Sequence, residues 1–268
     1  MEILTLKNKC TEIRRDVLSM ITEAQSGHPG GSLSMIEILV SLYYYKMRID
    51  NKNPTDPNRD RFVLSKGHAA PALYAVLADK GYFPREELRS FRQLGSHLQG
   101  HPDKKKLAGV DASTGSLGQG VSIATGMALG AKLRNADVNI YTILGDGELQ
   151  EGQVWEAAMA AAHYKLDNLT VIIDNNGLQI DGSNDKVMGL GNIADKYRSF
   201  GFYVVELKDG NDIEELLDAL NTEVEGQPKC ILAHTIKGKG VSFMENQVGW
   251  HGKALSNEQL AQALSELK

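Results

Sequence analysis

Short apolar runs alternate with stretches of helical character along most of the chain, and that alternation predicts its architecture. Val138 to Leu144 (VNIYTIL) and Leu169 to Ile173 (LTVII) read as buried strands, with Tyr203 to Glu206 and Cys230 to His234 as two more. Gln153 to His163 is rich in alanine and reads as a helix, as do Asn192 to Ser199 and Asp212 to Glu223. A parallel crossover takes a dozen or more residues, usually a helix, so residues 138–173 form one βαβ unit. Repeating this pattern without hairpin signals predicts an α/β fold, a mostly parallel sheet with helices on both faces. Upstream, Ile13, Val17, Met20, Ile21 and Ala24 recur at helical spacing, giving an amphipathic helix that ends near Ser26-Gly27. A second helix is expected from about Ser34 through Tyr43-Tyr44-Tyr45, whose rings suit core or interface packing. Asn51 to Asp60 is polar, carries Pro54 and Pro57, and reads as a surface loop. Arg61 to Ser65 reads as a short strand, Pro71 opens a helix that Gly81 closes, and Pro84 begins a further short helix. There is no internal repeat, low-complexity segment or linker, so one α/β domain is expected over residues 1–268.

Composition narrows this picture by exclusion. The net charge of −5 argues against a general nucleic-acid binder, and the only basic run, Lys104-Lys105-Lys106, reads as a solvated loop. Cys10 and Cys230 are far apart and form no CxxC pair, so neither a disulfide framework nor a thiolate metal site is implied. The N-terminal MEILTLKNKC has no apolar core of the kind a signal peptide needs. Ala112 to Ala131 is uncharged but holds five glycines among Ser, Thr and Gln residues, which does not suit a membrane span. A soluble, cytoplasmic protein is expected.

The chemistry concentrates after the strands. Asp146 lies in Gly145-Asp146-Gly147, and Asn176 follows thirty residues later in Asp174-Asn175-Asn176-Gly177. Both are expected just past the carboxyl ends of parallel strands, where open α/β sheets bind ligands. A carboxylate and an amide oxygen suit a small hard dication that keeps positions for water and phosphate oxygens. His28, His68, His101 and His251 each have a glycine neighbour in loop-like segments, where imidazoles can donate hydrogen bonds or shuttle protons. His97, His163 and His234 lack that context and are expected to be structural. Thr114 to Gly120 (TGSLGQG) precedes a helix of small residues from Val121 to Leu133, so free backbone N–H groups there face an anion. Gly126 and Gly130 have the spacing that lets a helix pack tightly. Glu151 is expected at the start of the crossover helix, as a helix N-terminal acid or as part of the site or an interface. Gly189 to Ala194 matches GxGxxA, but no strand precedes it, so it is not a dinucleotide site.

Taken together these motifs resemble the transketolase family. GDG followed by NN is the thiamine diphosphate signature. SGHPGGSLS, LSKGHAAPALYA, FRQLGSHLQGHP, STGSLGQG, GDGELQEGQVWEA and DNNGLQIDG follow in the family's order, from about Thr11 to WHGK at Trp250 to Lys253. The resemblance implies a thiamine diphosphate-binding fold and a transketolase activity, two-carbon ketol transfer between phosphosugars. It implies that Asp146, Asn176 and the Leu178 carbonyl hold the metal, magnesium with calcium or manganese as alternatives. Gly147 and His68 would contact the cofactor diphosphate, and Gly115 and Leu117 would line the cofactor. His101 would contact the donor's C1 hydroxyl, His28 and His251 its C3 hydroxyl, and Arg92 the substrate channel. Glu151 would join an acidic network at a subunit contact.

A full-length transketolase continues into pyrimidine-binding and C-terminal domains, which this chain does not include. The expectation is therefore an N-terminal, diphosphate-binding subunit of a split transketolase, completed by a C-terminal transketolase subunit in a heterotetramer of the pentose phosphate pathway. Two alternatives stand beside it: the alpha-type subunit of a 2-oxoacid dehydrogenase, which also carries GDG and NN, and a non-catalytic cofactor-binding subunit.

Overall fold

The computed structural model describes residues 2–267. Its main sheet has five strands: β1 (Arg61–Leu64), β2 (Ile140–Gly145) and β3 (Leu169–Asn175), then, after the two-residue strands of a small hairpin, β4 (Leu178–Gln179) and β5 (Gly182–Ser183), the strands β6 (Tyr203–Leu207) and β7 (Lys229–His234). The order across the sheet is β1-β2-β3-β7-β6 and every neighbour is parallel. The helices in chain order are α1 (Ile3–Ala24), α2 (Pro29–Leu33), α3 (Ile36–Ser41), α4 (Ala70–Asp79), α5 (Gln119–Leu133), α6 (Gly152–His163), α7 (Asn184–Met188), α8 (Ile193–Phe200), α9 (Ile213–Asn221) and α10 (Asn257–Glu266).

Alternate residues of each central strand feed two separate cores. Tyr141, Ile143, Ile172 and Ile231 join the apolar faces of α1, α3, α4 and α9. Ile140, Leu144, Val171, Ile173 and Cys230 pack with α5, α6 and α8 on the opposite face. That double cover is why these strands read as unbroken apolar runs. Helices α6 and α8 carry the chain outward from β2 to β3 and on to β6, whereas α9 brings it back to β7 on the other face. Right-handed crossovers require that change of face when direction reverses. The reversal falls between β3 and β7, and open sheets bind ligands at the carboxyl edge beside such a point.

Three local expectations change. The helix expected from Ser34 through Tyr45 begins at Ile36, as α3, and gives way to a π-helical turn at Leu42–Lys46, while a separate short helix, α2, precedes it. The wider turn carries Tyr43 inward, edge-on to Phe62 at 5.5 Å, while Tyr44 reaches Asp79 and Tyr45 stays exposed. Among the described residues, a Cβ built on Gly126 or Gly130 meets nothing within 4 Å, so this small-residue face is left open by them. Helix α10 is an addition to the expected elements; Ser256 and Gln259 form a capping box at its start, and it packs on α1. Among the described residues no helix is long and apolar enough to cross a membrane.

Candidate active site

The carboxyl ends of β1, β2, β3 and β7 converge on one cavity of about 330 Å³. Asp146 follows β2 directly and opens a 3-10 turn, Gly147–Gln150. Its side chain is 2% exposed, yet its oxygens accept only backbone N–H groups, from Gly147 at 2.8 Å and from Gly177. Burial, reinforced by the charge of Asp174, raises its pKa to about 6. A buried carboxylate without a cation of its own is well suited to take one up. From the end of β3, Asn176 directs Oδ1 at the Leu178 N–H, 3.2 Å away, and Nδ2 at Asp174. The Leu178 carbonyl accepts from the Lys237 ammonium at 3.0 Å. That carbonyl therefore already faces a positive charge, the polarity a metal ion would present. Among the described residues no three His, Cys, Asp or Glu side chains form a metal cluster. The candidate set thus has one carboxylate and two neutral oxygens, which suits a dication that also binds phosphate.

Three of the four glycine-flanked histidines meet over this cavity. The ring centroids of His28 and His68 are 5.2 Å apart, those of His28 and His251 5.5 Å, and those of His68 and His251 5.3 Å. A glycine beside them makes room. A Cβ on Gly31 would lie 3.3 Å from His68 Nε2. Burial lowers all three pKa values, with neighbouring cations adding to the effect: His28 to about 4, His251 to about 3, and His68 well below its ordinary value. The three rings are therefore neutral at pH 7. His28 Nδ1 is buried without a partner, a donor or acceptor left for a ligand.

Gly115 and Leu117 also line the cavity, as do Gly147, Asn176 and Glu151. Glu151 is the exposed N-cap of α6, with its Cβ against Gly118. His101 and Arg92 do not line the cavity. They border an adjoining recess of about 320 Å³ with Gln99 and Gly100. Gly115 of the first space approaches His101 of the second, where a Cβ on Gly115 would lie 2.9 Å from His101 Cγ. Burial and Arg92 both lower the His101 pKa. Arg92 itself adopts a left-handed backbone (φ 58°) and donates to Ser26 Oγ at 2.8 Å.

Three further groups join the site that the motifs did not single out. Lys237 is 1% exposed, and its ammonium also lies 2.9 Å from His251 Nδ1. Burial and Lys66 lower its pKa to about 8. Lys66 and Asp174, 1% and 0% exposed, form a buried ion pair. Asp174 also accepts from Ser34 and Thr235, tying β3 to the end of α2 and to the segment after β7. Lys66 and Lys237 were recoverable by position, since each follows a strand's carboxyl end. Asp174 was not, because nothing in sequence separates it from a metal ligand.

The model of a protein family described as "Transketolase, thiamine diphosphate binding domain" matches residues 6–267. The chain is 45% identical to the 6-deoxy-6-sulfo-D-fructose transketolase subunit SqwG of Clostridium sp. (strain MSTE9), over 99% of this chain and 97% of that one. It is 40% identical to one subunit of the apulose-4-phosphate transketolase of Phocaeicola vulgatus, over 100% and 95%. Human transketolase is 41% identical over 99% of this chain, which spans only 42% of that protein. The solved transketolase of Campylobacter jejuni superposes with a TM-score of 0.93 at 36% identity, over 100% of this chain and 43% of that one.

Proposed function

Because the chain belongs to the transketolase family and is a transketolase subunit built on its thiamine diphosphate-binding domain, we propose that it completes an active site with a second chain. That partner carries the pyrimidine-binding and C-terminal domains, and the assembly is a heterotetramer. Together they move a two-carbon ketol unit from a ketose phosphate to an aldose phosphate, in the cytoplasm and within pentose phosphate metabolism. The observation that carries this reading is the convergence of Asp146, Asn176 and Leu178 beside three neutral histidines in one carboxyl-edge cavity. The 2-oxoacid dehydrogenase alternative is not favoured, since the relatives are transketolases.

Asp146, Asn176 and the Leu178 carbonyl would hold magnesium, or calcium or manganese in its place, against the cofactor diphosphate. The Gly147 backbone, His68 and Lys237 would take the diphosphate oxygens, with Gly115 and Leu117 along the cofactor. Thiamine diphosphate, when bound, supplies the electron sink for carbon–carbon cleavage. His28 and His251, neutral at pH 7, accept the proton from the donor's C3 hydroxyl. His101 orients the C1 hydroxyl, Arg92 borders the substrate channel, and Glu151 reaches the acidic network at the subunit contact. Two relatives are named for a sulfonated and a phosphorylated sugar, and this chain is proposed to serve a sugar with a similar terminal anion. The partner makes the finer choice.

Mixing both chains with thiamine diphosphate and magnesium should give glycolaldehyde transfer between pentose phosphates, and this chain alone should give none. Asp146→Ala should weaken metal-dependent cofactor binding by about 100-fold or more, read by titration calorimetry on the assembled protein. Undiminished binding by that variant would remove Asp146 from the site.

A further inference from the structure

Glu148 is the fourth residue of Gly145-Asp146-Gly147-Glu148, and it is 2% exposed in the wall of the cavity. Its carboxylate collects donors from three separate turns. Oε1 accepts the Ser65 hydroxyl at 2.5 Å and the Gly118 N–H at 2.9 Å, and Oε2 accepts the Gly145 N–H at 3.1 Å. Ser65 directly follows β1, one residue before Lys66 and three before His68. Gly118, with φ of 80°, closes the turn that carries Gly115 and Leu117 and is the N-cap of α5. Gly145 ends β2 beside Asp146. Each turn therefore presents groups to the cofactor on one side and a donor to Glu148 on the other.

The turns are too close for any side chain to separate them. A Cβ on Gly120 would lie 2.5 Å from Ser65 Cα, and one on Gly67 2.7 Å from the Gly115 nitrogen. Ser65 Oγ in turn accepts the Val121 N–H at 3.2 Å, which extends the network into the first turn of α5. Only an ionised carboxylate offers two acceptor oxygens and no donor in this geometry. The isosteric amide would set an N–H₂ against one of the three donors.

We propose that Glu148 is a positioning residue, which fixes the three cofactor-facing turns in one mutual geometry before cofactor arrives. The proposal rests on the functional reading above. It assigns Glu148 no contact with the reacting atoms. Its effect is preorganisation, so it belongs to cofactor affinity and not to the chemistry of the sugar.

The test is Glu148→Gln, assembled with the partner chain and titrated with thiamine diphosphate and magnesium. Cofactor Kd should rise about tenfold, while sugar KM at saturating cofactor stays near wild type. In the free chain, hydrogen exchange at the Gly118 and Gly145 amides should accelerate. A cofactor Kd within twofold of wild type, unchanged exchange at those amides, or an equal shift in sugar KM would overturn the proposal. If wild type itself bound no cofactor, the functional reading would fall, and the exchange rates would still decide the role of Glu148. Should Glu148→Gln fail to fold, Ser65→Ala removes one of the three donors and is read by the same exchange at Gly118.

Discussion

His28 and His251 carry no charge near neutrality because burial has removed the water that would stabilise it, and this has a consequence for stability. Their folded pKa values are about 4 and 3, below the roughly 6.5 of a free imidazole. Between those values the unfolded chain binds more protons than the folded one, so folding is favoured less as pH falls. The contribution is complete above about pH 6.5 and is lost on the way down to about 4 for His28 and about 3 for His251. Asp146 opposes it over part of this window. Its folded pKa near 6 exceeds the ordinary carboxylate value, so its share of stability grows as pH falls from 6 to 4. Denaturant midpoints at pH 7.5 and 5 should differ less for His28→Asn than for wild type, and an equal fall in both would contradict the assignment. The glycine neighbours of these histidines were visible in the sequence and did locate them. Their mutual distances were not, since residues 28, 68 and 251 meet only through the sheet order.

Helix α5 places two kinds of glycine on one element. Gly120 faces Ser65 so closely that an added methyl must move backbone, whereas Gly126 faces open space. Gly120→Ala should cost about 1–3 kcal/mol. Gly126→Ala should gain roughly 0.5–1 kcal/mol from the lost backbone freedom of glycine in a helix interior. At about 2–4 °C per kcal/mol for a chain of this size, thermal melts of the free chain should move in opposite directions for the two variants. The periodicity and the opening Gly-rich turn were enough to predict this helix, but spacing alone does not say which glycine is crowded. The change from α3 to the π-helical turn was equally hidden. It depends on Tyr43 meeting Phe62, a contact between residues far apart in the chain.

At the scale of the whole molecule, the Lys66–Asp174 pair joins the N-terminal helices to the sheet. Lys66 also donates to the Gly31 carbonyl at 2.8 Å, and Asp174 holds Ser34 and Thr235. Lys66→Met would strand a carboxylate in a dry interior. It should destabilise by about 3–5 kcal/mol, read from the denaturant midpoint; a loss under 1 kcal/mol would show the pair to be dispensable. The alternation of strands and helices made the fold class legible in the sequence. The β1-β2-β3-β7-β6 order was not, because strands covered on both faces have interchangeable apolar patterns. All the chemistry leaves the carboxyl edge of that sheet. The segments entering β2, β3 and β7, at residues 134–139, 164–168 and 222–228, lie at the opposite edge. A lineage or an engineer can therefore lengthen those entries, fuse modules to them or decorate them with new surface. In the function proposed above the reaction sits at one edge of the sheet, and changes of this kind fall at the other.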